Sequence, residues 1–378
     1  MTSEPVIQAP GQPSPGPPAY TGTGPSGQAL WRRALRWETG LVVVLAAVLI
    51  FGSERSPDFL NTTTLFYVGL NMGEIALMAL PLMLIVITGE IDLSVASMLG
   101  LSGAVLGQLT ADGWPVVLAM VAALVVGALG GALNGVLVAR LGLPSIAVTI
   151  GTLTLFRGLA EIVLGARTIT AFPASLTKIG VVPLSGTHLS YSAVIFIVLA
   201  VIFGVVLHAT RAGRSIVAAG LAPEAAQFAG IRVRRLKFGL FVLSGMLCAF
   251  AGILFTLKNA SVSYDAGTGL ELNVVAIVLF GGVSIFGGRG TVIGVVLSVI
   301  IFGTLQQVLT QMQIQPEVQN IITGVLLLIS VVLPNGGEAV RRIRARLRTR
   351  SGRVRAPAPP ARSVNPSDSA LTRQENTQ

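Results

Sequence analysis

Arg211-Ala-Gly-Arg-Ser-Ile-Val-Ala-Ala-Gly-Leu-Ala-Pro-Glu-Ala-Ala-Gln-Phe-Ala-Gly-Ile-Arg-Val-Arg-Arg-Leu-Lys237 is a polar interlude inside an otherwise apolar chain. Six of its residues are Lys or Arg. Its centre, Pro223 to Phe228, predicts a short helix: Pro suits a first helical turn, Glu224 complements a helix N-terminus, and Ala225 and Ala226 favour helix. Gly230 is placed to end it. Long hydrophobic runs lie on either side, so the stretch reads as a small helix held at one face of a membrane.

The rest of the composition agrees. Of 378 residues, 52% are hydrophobic and 11% are charged, and the mean hydropathy is +0.78. A soluble domain has about 25% charged residues. This chain cannot cover itself with a water-compatible surface and is expected to be an all-α integral membrane protein. After a first run at 39–52, apolar stretches are centred at 73–88, 93–110, 115–139, 144–164, 190–208, 238–257, 271–287, 291–311 and 318–334, or roughly ten spans. The single cysteine, Cys248, lies inside an apolar run and reads as packing.

Charge sets the expected orientation. With an inside N-terminus, the inside ends hold Arg32, Arg33, Arg36, Arg140, the six cations of 211–237, Arg289 and the arginines from Arg341 onward. That is twenty-one cations, against four outside (Arg55, Arg167, Lys178 and Lys258). The excess follows the positive-inside rule and puts 211–237 in the cytoplasm. The domains follow: a disordered Pro/Gly/Ser-rich cytoplasmic tail over 1–36, a transmembrane domain over 37–335, and a basic cytoplasmic tail over 336–378. The net charge of +10 is concentrated behind the last span, where it anchors to anionic lipid; no nucleic-acid partner is expected.

An internal repeat is also visible. Asn134-Gly135 stands ten residues before Pro144, with Gly151 beyond; Gln306-Gln307 stands in the same relation to Pro316 and Gly324. The offset is five spans, an odd number, so the copies would have opposite topology, as in many transporters.

Chemistry-bearing residues are few. Thr88-Gly-Glu-Ile-Asp-Leu-Ser94 joins the second and third spans, and Asp92 reads as a cap for the helix that follows. Glu90, Asp92 and Ser94 are candidates for lining a translocation pathway, as are Asn134 and, in the turn Phe280-Gly-Gly-Val-Ser-Ile-Phe-Gly-Gly-Arg-Gly290, Gly281, Gly282 and Ser284. That turn suits close packing better than phosphate binding, since the chain has no Gly-Lys pair and hence no Walker A motif. Arg157 and Glu161, four residues apart, are placed to neutralise each other within the fifth span, and Glu74 and Glu271 read as interfacial or paired. Gly127, Gly130, Gly131 and Gly135 permit close helix contact. His188 and His208 are the only histidines; no metal site, cofactor or catalytic set is expected.

Three motifs in order resemble the signatures of monosaccharide ABC importer permeases of the ribose/xylose/autoinducer-2 branch. They are Thr88-Gly-Glu-Ile-Asp-Leu-Ser-Val-Ala-Ser-Met98, Gly220-Leu-Ala-Pro-Glu-Ala-Ala-Gln-Phe-Ala-Gly-Ile231 and Leu279-Phe-Gly-Gly-Val-Ser-Ile-Phe-Gly-Gly-Arg-Gly-Thr291. The resemblance covers about residues 38–334 and implies an ABC type II importer-like fold. Trp37-Glu-Thr39, Phe156-Arg-Gly-Leu-Ala-Glu161 and Asp265-Ala-Gly-Thr-Gly269 are similar to rhamnose permeases, and Gln306-Gln307 to autoinducer-2 permeases. Rhamnose is the expected cargo, with autoinducer 2 or another pentose or hexose as the alternative.

The resemblance implies several partners: two cytoplasmic ATPase subunits, or one with duplicated nucleotide-binding domains; a sugar-binding lipoprotein or periplasmic protein; and a second permease copy or close homologue. It makes 209–237 the coupling loop, with Gly220, Glu224, Ala225 and Gly230 in the part that docks on the ATPase. It also implies a multi-pass protein of the bacterial cytoplasmic (inner) membrane that is itself no enzyme. One departure stands out: the family has Gly-Gly-Ile-Asp where this chain has Gly89-Glu90-Ile91-Asp92, an added carboxylate. A secondary transporter driven by an ion gradient is the competing reading.

Overall fold

The structure, a computed structural model, describes residues 27–328 except 57, 58, 171 and 327, with side chains from residue 37 onward except at 179. The described residues are overwhelmingly helical, in the order α1 (Gly27–Arg55), α2 (Thr62–Ile87), α3 (Val95–Ala111), α4 (Val116–Gly135), α5 (Ser145–Leu164), α6 (Ala174–Val181), α7 (Tyr191–Ala209), α8 (Arg211–Leu221), α9 (Pro223–Phe228), α10 (Val233–Asn259), α11 (Leu270–Phe280) and α12 (Val292–Gln311). A further helical stretch covers 316–326. Among the described residues, seven helices are long and apolar enough to cross a membrane: α1 from Trp37, α2, α4 with its extension to Arg140, α5, α7, α10 and α12. The apolar helices α3 and α11 are shorter. Among the described residues the chain is thus an all-α membrane-protein fold with seven full-length candidate spans; the tenth expected span is described only to 328.

The tail expected over 1–36 overlaps the start of α1. Helix α1 already begins at Gly27, because Gln28-Ala-Leu-Trp-Arg-Arg-Ala-Leu-Arg36 consists mostly of good helix formers. Residues 1–26, like the basic tail, lie outside the described residues.

Helix α2 is the axis, buried along nearly its whole length from Met72 to Ile87. Lipid tails are as apolar as leucine, so helix association depends on close backbone approach. The α4 glycines supply it. A Cβ on Gly127 would sit 2.5 Å from the Gly245 carbonyl oxygen of α10, and one on Gly131 would collide with the Phe241 carbonyl. Gly135 faces Phe238 of α10, whereas Gly130 receives Met98 of α3. On the other side of α2, Gly73 lies against Ser192 of α7 and Gly303 of α12 against Met72. The α4 contacts are what the spacing of its glycines predicts.

Beyond Gly135 the α4 backbone widens into a π turn, Val136–Arg140, and Arg140 stacks over the Phe238 ring at 4.9 Å. Helix α5 then starts immediately after Pro144. The same helix–turn–proline–helix sequence recurs where α12 ends and Pro316 opens the stretch at 316–326. The region between the apolar stretches 144–164 and 190–208 contains α6, which starts after Pro173 and packs Gly180 against the α10 backbone at Lys258.

Candidate coupling and translocation site

The interlude at 211–237 folds into two helices and the start of a third. Thr210 caps α8 by accepting the Gly213 amide at 3.3 Å. Helix α8 turns Gly213, Ile216 and Ala219 inward; this amphipathic helix was missed from sequence, although a Thr cap followed by that spacing could have revealed it. Helix α9 covers Pro223–Phe228, as the sequence predicts. Gly230 ends it in the left-handed conformation at φ +84°. Its amide donates to the Gln227 carbonyl and the Ile231 amide to the Ala226 carbonyl, the paired bonds of a Schellman stop. Ala219, Ala226 and Val233 form a small core of their own, packed by Ala218, Ile231 and Leu236. The loop is therefore a folded bracket. Glu224 and Ala225 are exposed on it, and Phe228 is 92% exposed.

Gly220 seats this bracket. A Cβ there would overlap the Ile87 carbonyl at the end of α2 and lie 2.6 Å from the Gly288 amide. The Gly288 amide donates to that same Ile87 carbonyl at 2.7 Å. A Cβ on Gly287, which sits at φ +80°, would lie 2.9 Å from the Gly220 carbonyl oxygen and 3.0 Å from the Gly89 amide nitrogen. Three loops thus meet backbone to backbone: the bracket, the α2–α3 linker and the Gly-rich turn.

The linker continues into a buried polar network. Asp92 accepts the Ser94 amide (3.0 Å) and hydroxyl (2.6 Å) on Oδ1, and the Ser244 hydroxyl of α10 on Oδ2 (3.3 Å). Asn134 of α4 donates to the Ser94 hydroxyl at 2.8 Å. Ser145 of α5 accepts the Ile91 amide at 3.1 Å, and Thr149 donates to the Ile91 carbonyl. Asp92, Ser94, Asn134 and Ser244 are all buried. A short segment therefore ties α3, α4, α5 and α10 together through a carboxylate that accepts three hydrogen bonds, the arrangement that makes a buried polar group tolerable. The cap expected from Asp92 is an Asx turn onto Ser94, with Ser94 itself at the helix start.

The remaining candidates divide. Glu90, the added carboxylate, meets Lys237 of α10 at 2.5 Å, so it bonds to the trailing end of the bracket and not to the Asp92 network. Gly281 and Gly282 are not drawn into that network either. Gly281 lies against Val295 and Gly294 of α12, and Gly282 leaves room for the Trp37 ring. Trp37 donates to the Phe280 carbonyl at 3.1 Å, and Glu38 accepts the Thr291 hydroxyl at 2.7 Å, which fixes α1 to the turn. Ser284 closes the turn by donating its amide to the Arg289 carbonyl.

The expected Arg157–Glu161 pair does not form. Arg157 donates to the carbonyls of Ala266 (2.7 Å) and Tyr264 (3.3 Å), a turn that Gly100 of α3 leaves space for, while Glu161 is exposed. Glu74 is paired, with Lys258 at 2.8 Å. Among the described residues no group of His, Cys, Asp or Glu could hold a metal.

Apolar helices held by close backbone contacts thus carry a folded bracket, seated on the α2–α3 linker. The family model described as "Branched-chain amino acid transport system / permease component" matches residues 64–331, and the chain belongs to that family. Similar proteins include the Autoinducer 2 import system permease protein LsrD of Klebsiella pneumoniae, 32% identical over 304 residues, covering 79% of this chain and 91% of that protein. LsrD of Escherichia coli K12 is 30% identical over 302 residues, covering 78% and 91%. The chain is thus an ABC permease of the ribose/autoinducer-2 branch, a transport component. No solved structure matches it.

Proposed function

We propose that this chain is one permease subunit of an ATP-driven importer in the bacterial cytoplasmic membrane. Its N- and C-termini and the α8–α9 bracket face the cytoplasm. Glu224, Ala225 and Phe228 dock on an ATPase partner, either two subunits or one with duplicated nucleotide-binding domains. A second permease, identical or homologous, completes the path, and a sugar-binding lipoprotein or periplasmic protein delivers cargo. The observation that carries this reading is the seated bracket. A helix with its own core, a nearly fully exposed phenylalanine and a backbone contact onto the α2–α3 linker is built to receive a push and pass it on. The repeat halves, each ending in a helix–turn–proline–helix pair, would run in opposite directions through the membrane.

The cargo is a small polyhydroxylated molecule. The relatives above carry autoinducer 2 in their names, which puts autoinducer 2 ahead of rhamnose for this chain. The test is reconstitution in proteoliposomes with radiolabelled autoinducer 2, rhamnose and ribose. Uptake should require ATP, the ATPase and the binding protein together. Uptake by this chain alone, driven by a proton or sodium gradient, would establish the secondary-transporter reading instead.

A further inference from the structure

Between α2, α11, α12 and the helical stretch at 316–326 lies a cleft whose polar lining is Asn273, Gln306, Gln319, Asn320 and Thr323, with Phe302 among its apolar residues. Its lining includes Ile75 of α2, twelve residues before Ile87, or about 18 Å along the helix from the seated bracket. The cleft therefore lies about midway along α2, well away from the coupling face. Gln306 and Asn320 are exposed there and Asn273 is half-buried. None of these three carboxamides makes a side-chain hydrogen bond to another described residue. Gln319 donates only to the Ile314 carbonyl.

Hydrocarbon offers no hydrogen bonds, and a bare amide costs several kcal/mol there. Three unpartnered carboxamides converging at that depth point to water or cargo, since polar groups within spans mark transport pathways. Their chemistry narrows the cargo. Each carboxamide has two donors and a two-lone-pair acceptor, which suits hydroxyls that both donate and accept. No ionisable side chain lines the cleft, so nothing there selects a charged molecule. The enclosed part is about 40 Å³, room for a water or two. In this conformation it is a shallow strip and not a closed pocket.

We infer that Asn273, Gln306 and Asn320 form a hydroxyl-reading strip on the translocation path, which a neutral sugar-like molecule touches by its polar edge. This rests on the importer reading above. The test uses the full importer in membrane vesicles, with Cys248→Ser as background. Asn273→Cys, Gln306→Cys and Asn320→Cys are exposed to a charged, membrane-impermeant thiosulfonate, with Val201→Cys on the exposed face of α7 as control.

The strip cysteines should react at least about tenfold faster than the control, and a transported sugar should slow them. Gln306→Leu should raise the KM for uptake about tenfold, the loss of about one hydrogen bond. Strip cysteines as inert as the control, in an importer that still works, would mean that the strip faces lipid or a second permease, and would overturn this inference alone. Reactive cysteines that no transported sugar protects would reduce the strip to a water contact and overturn it as well. An assembly that transports none of the sugars tested would overturn the importer reading and this inference with it.

Discussion

Reversing the charge at Glu90 tests whether the added carboxylate is a working link between the bracket and the α2–α3 linker. Glu90 and Lys237 meet at 2.5 Å with side chains 18% and 14% exposed. An exposed pair contributes about 0–1 kcal/mol, and breaking a fully buried pair costs about 3–5 kcal/mol. This pair lies between, at about 2 kcal/mol, equivalent to about a 30-fold change in an equilibrium constant. Glu90→Lys sets two cations against each other and should lower both the melting midpoint of the purified permease and the uptake rate. Glu90→Lys combined with Lys237→Glu restores attraction in the opposite sense and should recover most of both. A cycle built from Glu90→Gln, Lys237→Gln and the double variant should show a coupling energy of about 1–2 kcal/mol. Additive single effects, together with a swap that recovers nothing, would show that the contact contributes no energy and that Glu90 acts through something else.

Other outcomes follow from the same geometry. Glu224→Lys should leave the permease in the membrane but abolish ATP-driven uptake, read as ATPase activity no longer linked to transport; normal uptake would remove α9 from the docking role. Asp92→Ala strands the Ser94 and Ser244 donors and should cost about 1–3 kcal/mol for each buried group left unpaired. Asp92→Asn can still accept from Ser94 and should cost less, so equal melting shifts would refute the network. Gly131→Ala pushes a methyl into the Phe241 carbonyl and should destabilise by about 1–3 kcal/mol, seen as lower detergent stability. Trp37→Phe keeps the ring but loses the bond to Phe280, about 1 kcal/mol, and should loosen α1 enough to expose its N-terminal part to limited proteolysis.

The parts of the molecule that depend on neighbours in sequence were legible in it. Pro223, Glu224 and Gly230 are a local start and stop, and α9 obeys them. The apolar runs locate the spans because length and hydropathy are properties of one segment. The α4 glycines announced a close contact, though not that α10 would make it. Pairings between distant segments were out of reach. Nothing near Glu90 names Lys237, and nothing near Gly282 names Trp37. Arg157 shows how local spacing misleads: Glu161 is at the right interval, but the carbonyls of Tyr264 and Ala266 accept the guanidinium from across the bundle.

The meeting of Gly220, Ile87 and Gly288 sets how stiff the molecule is between its docking face and its interior. Side chains in contact can change rotamer and take up an ångström of movement before anything beyond them shifts. At this junction carbonyl and amide approach directly, and the hydrogen bond from the Gly288 amide to the Ile87 carbonyl closes the third side. On the proposed docking, a displacement entering through α9 would cross little slack before reaching the end of α2. Five residues further on, Asp92 would distribute it to α3 and α10 at once.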